Sequence, residues 1–134
     1  MVYIEEFYIN TEGKRDVKNI TEDVTYIISK SGIRNGIAFI FVPHATCALF
    51  ANEDEPRIRE DYLKLFEHLI PKCRLKHDEI DDNAGAHLLS SIFKQFFIFP
   101  IRDGRLIRGT WQELFLAEFD GPRARKVVVV VLGE

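Results

Sequence analysis

Hydrophobic positions in this chain fall into short runs separated by polar turns, and the spacing within each run predicts an element. The opening run VYIEEFYI predicts a first β-strand, and the polar TEGKRD stretch after it a turn. Val24, Ile27 and Ile28 then recur on one face of a helix. Thr21 is its expected N-cap, Glu22 and Asp23 suit the positive end of the helix dipole, and Lys30 suits the negative end. Gly32 is free to take the left-handed conformation that stops it. After a turn at Asn35-Gly36 comes GIAFIFV, continuous and rich in branched and aromatic residues, which predicts a strand covered on both faces. Ile58, Tyr62, Leu65, Phe66 and Leu69 have helical spacing, with Asp54 and Glu55 at the start, Pro56 in the first turn and Pro71 just past the end.

The polar stretch from Lys72 to Asp82 predicts a loop carrying His77, and Asp82 or Asn83 is then expected to cap a third helix that holds His87, Ser90 and Ser91. FFIFPI and RLIRG flank Arg102-Asp103-Gly104, whose Asp-Gly pair signals a hairpin. QELFLAEF is expected to turn at Asp120-Gly121-Pro122 into KVVVVVL, so that the chain ends in an antiparallel meander. The fold class is therefore α+β, an antiparallel β-sheet packed by about three helices. The successive valines Val127 to Val131 predict a strand buried on both faces, for which a central sheet position or a subunit interface each supplies a second cover.

Composition narrows the class. At 134 residues and 46% hydrophobic, the chain has material for one domain spanning residues 1–134, with no repeat, linker or low-complexity tract to divide it. A formal net charge of −3 argues against nucleic acid as partner, and the basic cluster Arg123, Arg125 and Lys126 reads as a solvated strand end. Cys47 and Cys73 lack C-x-x-C spacing, and the N-terminal run lacks the features of a secretory signal, so a reducing cytoplasm is the expected location. The longest apolar runs fall short of the roughly 20 residues a helix needs to cross a bilayer, and no membrane role is expected.

Three of the four histidines sit among acids, amides and hydroxyls: His44 in HATCALFANEDEP, His77 in HDEIDDN and His87 in AGAHLLSS. Neutral imidazole is the commonest metal ligand and proton shuttle near neutral pH, and carboxylates nearby orient it. Joined in space, the three would hold a divalent metal, zinc being favoured and magnesium the alternative, with one position open for water or substrate. Asp78, Glu53 or Asp82 would then accept from the imidazoles. A lone histidine more often bonds a loop carbonyl, and His68, on the amphipathic helix, is assigned a structural or solvent-facing role. Asp54 and Glu55 are explained by the helix N-terminus, which leaves Glu53 as the acid more available for base catalysis. Ser91, four residues after His87, lacks a nucleophile elbow, and Cys47 reads as core filling. Trp111, the only tryptophan, is expected to pack in the core, while Gly109-Thr110 before it offers amides and a hydroxyl to a phosphate.

HATCALFANEDEP, HD followed by DNAGAHLLSS, and G-x-x-x-x-GTWQ over Gly104 to Gln112 together resemble the YjbQ family, also known as UPF0047, in order and spacing across nearly the whole chain; the DGPR turn and final LGE fit as well. One departure is Phe93-Lys94-Gln95, where the family usually carries a small or glycine-containing stretch. The family pattern falls on His44, Thr46, Asn52, Glu53, Asp61, His77, Asp78, Asp82, Asn83, His87, Ser91, Thr110, Trp111 and Gln112.

The resemblance implies a small α+β fold, assembly as a homotrimer, and a secondary thiamine-phosphate synthase activity that need not be the physiological one. Within it, Glu53, Asp78 and His87 are the catalytic candidates, His44, His77 and His87 the metal candidates, and Thr46, Asn52, Asp82, Asn83, Ser91, Thr110, Trp111 and Gln112 the ligand-binding ones. Three functions are compatible with this: transfer between small phosphorylated metabolites, metal-assisted hydrolysis of a phosphorylated or acyl metabolite, and non-catalytic binding of a small anionic ligand by a trimer.

Overall fold

In chain order the computed structural model, which describes residues 1–134, runs β1 (Val2–Asn10), β2 (Asp16–Asn19), α1 (Thr21–Ser31), β3 (Gly36–Phe41), β4 (Cys47–Asn52) and α2 (Pro56–Leu69). A 3-10 turn over Lys76–Glu79 leads into α3 (Ala84–Phe93), β5 (Phe96–Arg102), β6 (Arg105–Leu106), β7 (Glu113–Glu118) and β8 (Ala124–Gly133). The strands form two antiparallel sheets, one ordered β1-β8-β3-β5-β6 and the other β2-β7-β4. The α+β class with three helices is as expected.

Alternation along β7 organises the layers, because successive strand side chains point to opposite faces. Leu114 and Leu116 join a core between the two sheets with Ile40, Val129 and Leu49, which α1 closes with Val24, Ile27 and Ile28. Phe115 and Ala117, on the other face, build a second core with Ala48 and with Phe66 of α2 and Leu89 of α3. The small sheet is thus the middle layer, and β7 is the strand buried on both sides.

That assignment corrects the expected meander, and within one chain it covers β3 and β8 on one face only. β7 and β8 belong to different sheets, so the C-terminal strands do not form a meander; β8 instead pairs with β1 and β3. In β3 and β8 only one face lies in the core, with Ala38, Ile40, Val127, Val129 and Val131 inward. Their other face is a set of apolar rows with no cover. Ile4, Val130, Phe39 and Ile98 face one another across four strands, as do Val2, Leu132, Ile37 and Pro100. The Phe39 and Phe96 rings stack with centroids 5.7 Å apart.

Helix ends show how local chemistry was applied. The Glu55 side chain caps α2, accepting from the Arg57 and Ile58 amides, with Pro56 directly after it. Thr21 is not a cap: it lies inside α1, and its hydroxyl accepts the Leu114 amide at 2.8 Å, tying the helix to β7. Asn83 occupies the N-cap position of α3 as expected, but its side chain makes no capping bond there. The capping bond comes from Asp78, further upstream, whose Oδ1 accepts the Ala84 amide at 2.8 Å. The Asp-Gly hairpin between β5 and β6 forms as expected, with φ of 53° at Asp103 and 78° at Gly104. No helix is long and apolar enough to cross a membrane.

Candidate functional site

Four loops meet at one end of the two sheets: the β1–β2 turn, the β3–β4 connection that carries His44, the β7–β8 turn, and the segment leading into α3. Their anchor is a buried ion pair. Glu118, at the end of β7, is fully buried, and Arg125, at the start of β8, is 4% exposed. The Arg125 guanidinium donates to both Glu118 oxygens and, through Nη2, to Thr46 Oγ1 at 2.8 Å. Thr11 Oγ1 donates to Glu118 Oε1 at 2.7 Å, and the Asp120 amide donates to Oε2 at 3.1 Å. Every strong acceptor on the carboxylate is therefore used, the condition under which a buried charge is tolerated. Burial opposes the charge of Arg125, but the Glu118 bonds together with the charges of Glu118 and Asp120 and the nearby Cys47 hold the guanidinium above its ordinary value.

This network corrects the reading of Arg125 as part of a solvated basic cluster. It sits in the inward row of β8 with Val127, Val129 and Val131, so alternation alone marks it as buried. Glu118, Thr11 and Asp120 also escaped the sequence reading. Glu118 was marked by being an acid in the run FLAEF; Thr11 carried no comparable signal.

Of the three site histidines, two come together. The rings of His77, on the 3-10 turn, and His87, in α3, meet edge to face with centroids 4.9 Å apart and planes at 87°. His77 Nε2 is buried and has no hydrogen-bond partner; Asp81 Oδ2, at 3.9 Å, is beyond bonding reach. Beside them, Asn83 Nδ2 donates to Asp120 Oδ2 at 3.0 Å while Asn83 Oδ1 is buried and unpaired. Burial opposes ionisation of Asp120, but the Asn83 amide and Arg123 prevail and keep its carboxyl below the usual range.

His44 has a different job. Its Nε2 accepts the Lys126 amide at 2.8 Å, which fixes the hydrogen on Nδ1 and ties the β3–β4 connection to β8. Burial and then the Arg125 charge push this imidazole below its ordinary value, so it stays neutral and accepting. No three His, Cys, Asp or Glu side chains of the chain are grouped so as to hold one ion. The residues of a single protomer therefore do not fit the expected three-histidine metal centre: two imidazoles are paired, and the third is engaged by a backbone amide.

The remaining candidates divide by position. Thr46 and Asn83 belong to the polar end just described, and Asp78 serves there as the helix cap. Asp82 is exposed with φ of 52°, and Ser91 is exposed with its hydroxyl donating back to the Leu88 carbonyl at 2.6 Å. Cys47 is buried, and burial pushes its thiol up to about 12, which leaves it inert as a nucleophile. Asn52, Glu53, Thr110, Trp111 and Gln112 lie at the other end of the small sheet. The β4–β7 register pairs Cys47 with Glu118 but Asn52 with Glu113, five steps or about 17 Å away at strand rise. There the Glu53 carbonyl accepts from Tyr62, Gln112 Oε1 accepts from the Gly109 amide, and Trp111 is 71% exposed rather than packed in the core. Asp61 is an exposed charge on α2.

Comparison with known proteins supports the pattern found in the sequence. Residues 5–134 match the profile of the family described as UPF0047 protein YjbQ-like. A UPF0047 protein of Archaeoglobus fulgidus is 37% identical over 128 residues, 95% of this chain and 99% of that one. The UPF0047 protein YugU of Bacillus subtilis is 32% identical, over 93% of this chain and 96% of its own. Among solved structures, a YbjQ-like protein of unknown function from Sulfolobus solfataricus superposes with a TM-score of 0.97 at 45% identity, covering 100% of this chain and 99% of that one. A hypothetical protein from Aeropyrum pernix gives 0.95 at 38% identity, covering 98% and 99%.

Proposed function

We propose, from the premise that this chain belongs to the UPF0047 YjbQ-like family, that it is an acid–base enzyme acting on a small phosphorylated metabolite at the end of the fold where His77 and His87 meet. The observation that carries this reading is the paired imidazoles with His77 Nε2 buried and unpartnered. A buried polar atom without a partner costs free energy in the resting protein, about 1–3 kcal/mol, and a ligand group that bonds to it recovers that cost. A neutral imidazole accepts a proton at one nitrogen and donates at the other, so two facing rings supply an acceptor and a donor at one place. Asn83 Oδ1, equally unpaired, would accept from the same ligand. Glu118 and Arg125 hold the surrounding loops without entering the chemistry.

The thiamine-phosphate synthase-like transfer implied by the family resemblance is one reaction such a pair serves, and hydrolysis of a phosphorylated or acyl metabolite is the other. Assays for both on the native protein and on His77→Gln and His87→Gln separate them. Loss of one activity by about 10²-fold in each variant is expected for proton transfer. Ligand-dependent stabilisation without turnover would replace the enzyme by a binding module. Stoichiometric zinc or magnesium in the purified protein, lost in both variants, would replace the acid–base pair by a metal site completed from outside the chain.

We further propose that the protein works as a cytoplasmic homotrimer. The uncovered apolar rows on β1, β8, β3 and β5 support this, since a contiguous exposed apolar face of such breadth marks a contact surface.

A further inference from the structure

At the end of β3 opposite His44 the chain gathers four arginines around one cleft. Arg34, Arg102, Arg105 and Arg108 line a depression of about 520 Å³ together with Asp103, Leu106 and Ile107. We propose that this cleft is an anion site for a small molecule carrying adjacent phosphate groups, separate from the histidine pair.

The geometry of the hairpin is the first support. Arg102 and Arg105 are direct cross-strand partners of β5 and β6. Directly opposed side chains have Cβ atoms about 4.5–5.5 Å apart, and like charges so placed repel. Arg102 and Arg105 are exposed and make no ion pair, and Asp103, at the turn between them, is the one carboxylate that lines the cleft against four arginines. Arg34 adds to the positive charge. Its carbonyl accepts the Gly104 amide at 2.8 Å, and Asn35 Oδ1 accepts the Asp103 amide at 3.3 Å, so the turn is fastened to the Arg34 segment. A methyl group at Gly104 would come within 3.0 Å of Arg34 Nη1, which means that the guanidinium lies directly over the turn. Arg108 closes the cleft, held by a bond from Nη1 to the Gln112 carbonyl at 2.7 Å and by Glu113 at 3.8 Å.

Arg34, Arg102 and Arg105 make no ion pair, and with Arg108 they outnumber the single Asp103 of the lining, so the cleft keeps an excess of positive charge that suits more than one negative charge. Guanidinium binds phosphate oxygens through two parallel N–H bonds, and Arg is the side chain best suited to it. The cleft is also larger than a single phosphate requires. A diphosphate satisfies both the charge and the space. The site is about 17 Å from the His44 end by strand rise, five steps along β3, so a short ligand cannot reach from one to the other.

Inorganic pyrophosphate tests this, with inorganic phosphate beside it, by calorimetry and thermal unfolding on the native protein, on Arg102→Gln/Arg105→Gln and on His77→Gln/His87→Gln. Saturable pyrophosphate binding with a rise in Tm is expected for the native protein, and affinity at least about tenfold lower in the arginine variant. The histidine variant is expected to bind within about twofold of native. The arginine variant without ligand should keep its circular dichroism and unfold at the native temperature or above it in low salt, because the repulsion is gone. Unchanged affinity in the arginine variant, or no saturable binding to the native protein, overturns the proposal. So does a change in oligomeric mass on removing the two arginines without ligand, which would assign them to a contact between copies.

Discussion

His77 and His87 stand edge to face, ring centroids 4.9 Å apart, although ten residues and a helix cap separate them in sequence. Asp78 makes this arrangement by capping α3: it pins the 3-10 turn that carries His77 against the first turns of the helix that carries His87. His87→Phe keeps an aromatic edge contact and removes both nitrogens. Stability should then change by less than about 1 kcal/mol, since only packing of a similar ring is involved. Turnover found with the native protein should fall by about 10²-fold or more. Lost stability with turnover intact would assign the pair to packing.

Asp78 itself yields a prediction of a different kind. Asp78→Ala leaves the Ala84 amide uncapped, which should cost about 0.5–2 kcal/mol in urea unfolding. Asp78→Asn retains an acceptor oxygen and should recover most of the loss. Were Asp78 a catalytic acid or base, the Asn variant would be stable and inactive.

His44 makes stability depend on pH in a defined direction. Its imidazole is held below the ordinary value of 6.5 in the folded protein, by burial and then by Arg125, with Lys126 and Glu118 also nearby. The unfolded chain therefore takes up the proton first as pH falls. The contribution is full above about 6.5, declines below it, and is completely lost once pH passes the folded value. His44→Gln keeps an acceptor for the Lys126 amide and removes the titration. The difference in Tm between native and variant should vary across that window and be flat above pH 7.5 or so. A constant difference would mean that His44 is protonated alike in both states.

The buried pair Arg125–Glu118 should show the asymmetry of paired buried charges. Arg125→Met leaves Glu118 charged and without its principal partner, at a cost of about 3–5 kcal/mol. The double variant Arg125→Met/Glu118→Leu should be markedly more stable than the sum of the two single losses predicts. Additive losses would show that the two side chains are not energetically coupled.

Local signals were the legible part of the sequence. α2 announced itself because Pro56, Glu55 and an apolar stripe act within a few residues of one another, and the β5–β6 hairpin because Asp103-Gly104 meets the positive φ its turn requires. β4 did not, since CALFAN does not alternate and is apolar on both sides through Ala51, as a strand in the middle layer must be. β2 is four residues long and polar at three of them. The partners of β7 and β8 were illegible for a physical reason: pairing is settled by which faces share a core, and neither strand records its partner. The same limit applied to the site. His77 and His87 lie in neighbouring elements, which short-range sequence can bring together; His44 comes from β3–β4, and only the fold reveals that a β8 amide engages it.

Lys94 links the family departure in the sequence to a measurable strain. It ends α3 with φ of 74° and ψ of 150°, a combination that essentially only glycine adopts without cost, and it lies within the stretch Phe93-Lys94-Gln95, where the family resemblance implies small or glycine-containing sequence. The backbone there is held on both sides, because the Lys94 amide donates to Ser90 O at 3.2 Å and its carbonyl accepts the Leu49 amide at 3.0 Å. A lysine in this conformation costs about 1–3 kcal/mol. Glycine removes the Cβ clash but loses about 0.5–1 kcal/mol more backbone entropy on folding. The balance favours Lys94→Gly by about 1 kcal/mol, a rise in Tm of about 2–8 °C, with Lys94→Ala expected to gain almost nothing because it keeps the Cβ. Equal Tm values for the Gly and Ala variants would place the effect in the side chain rather than the backbone.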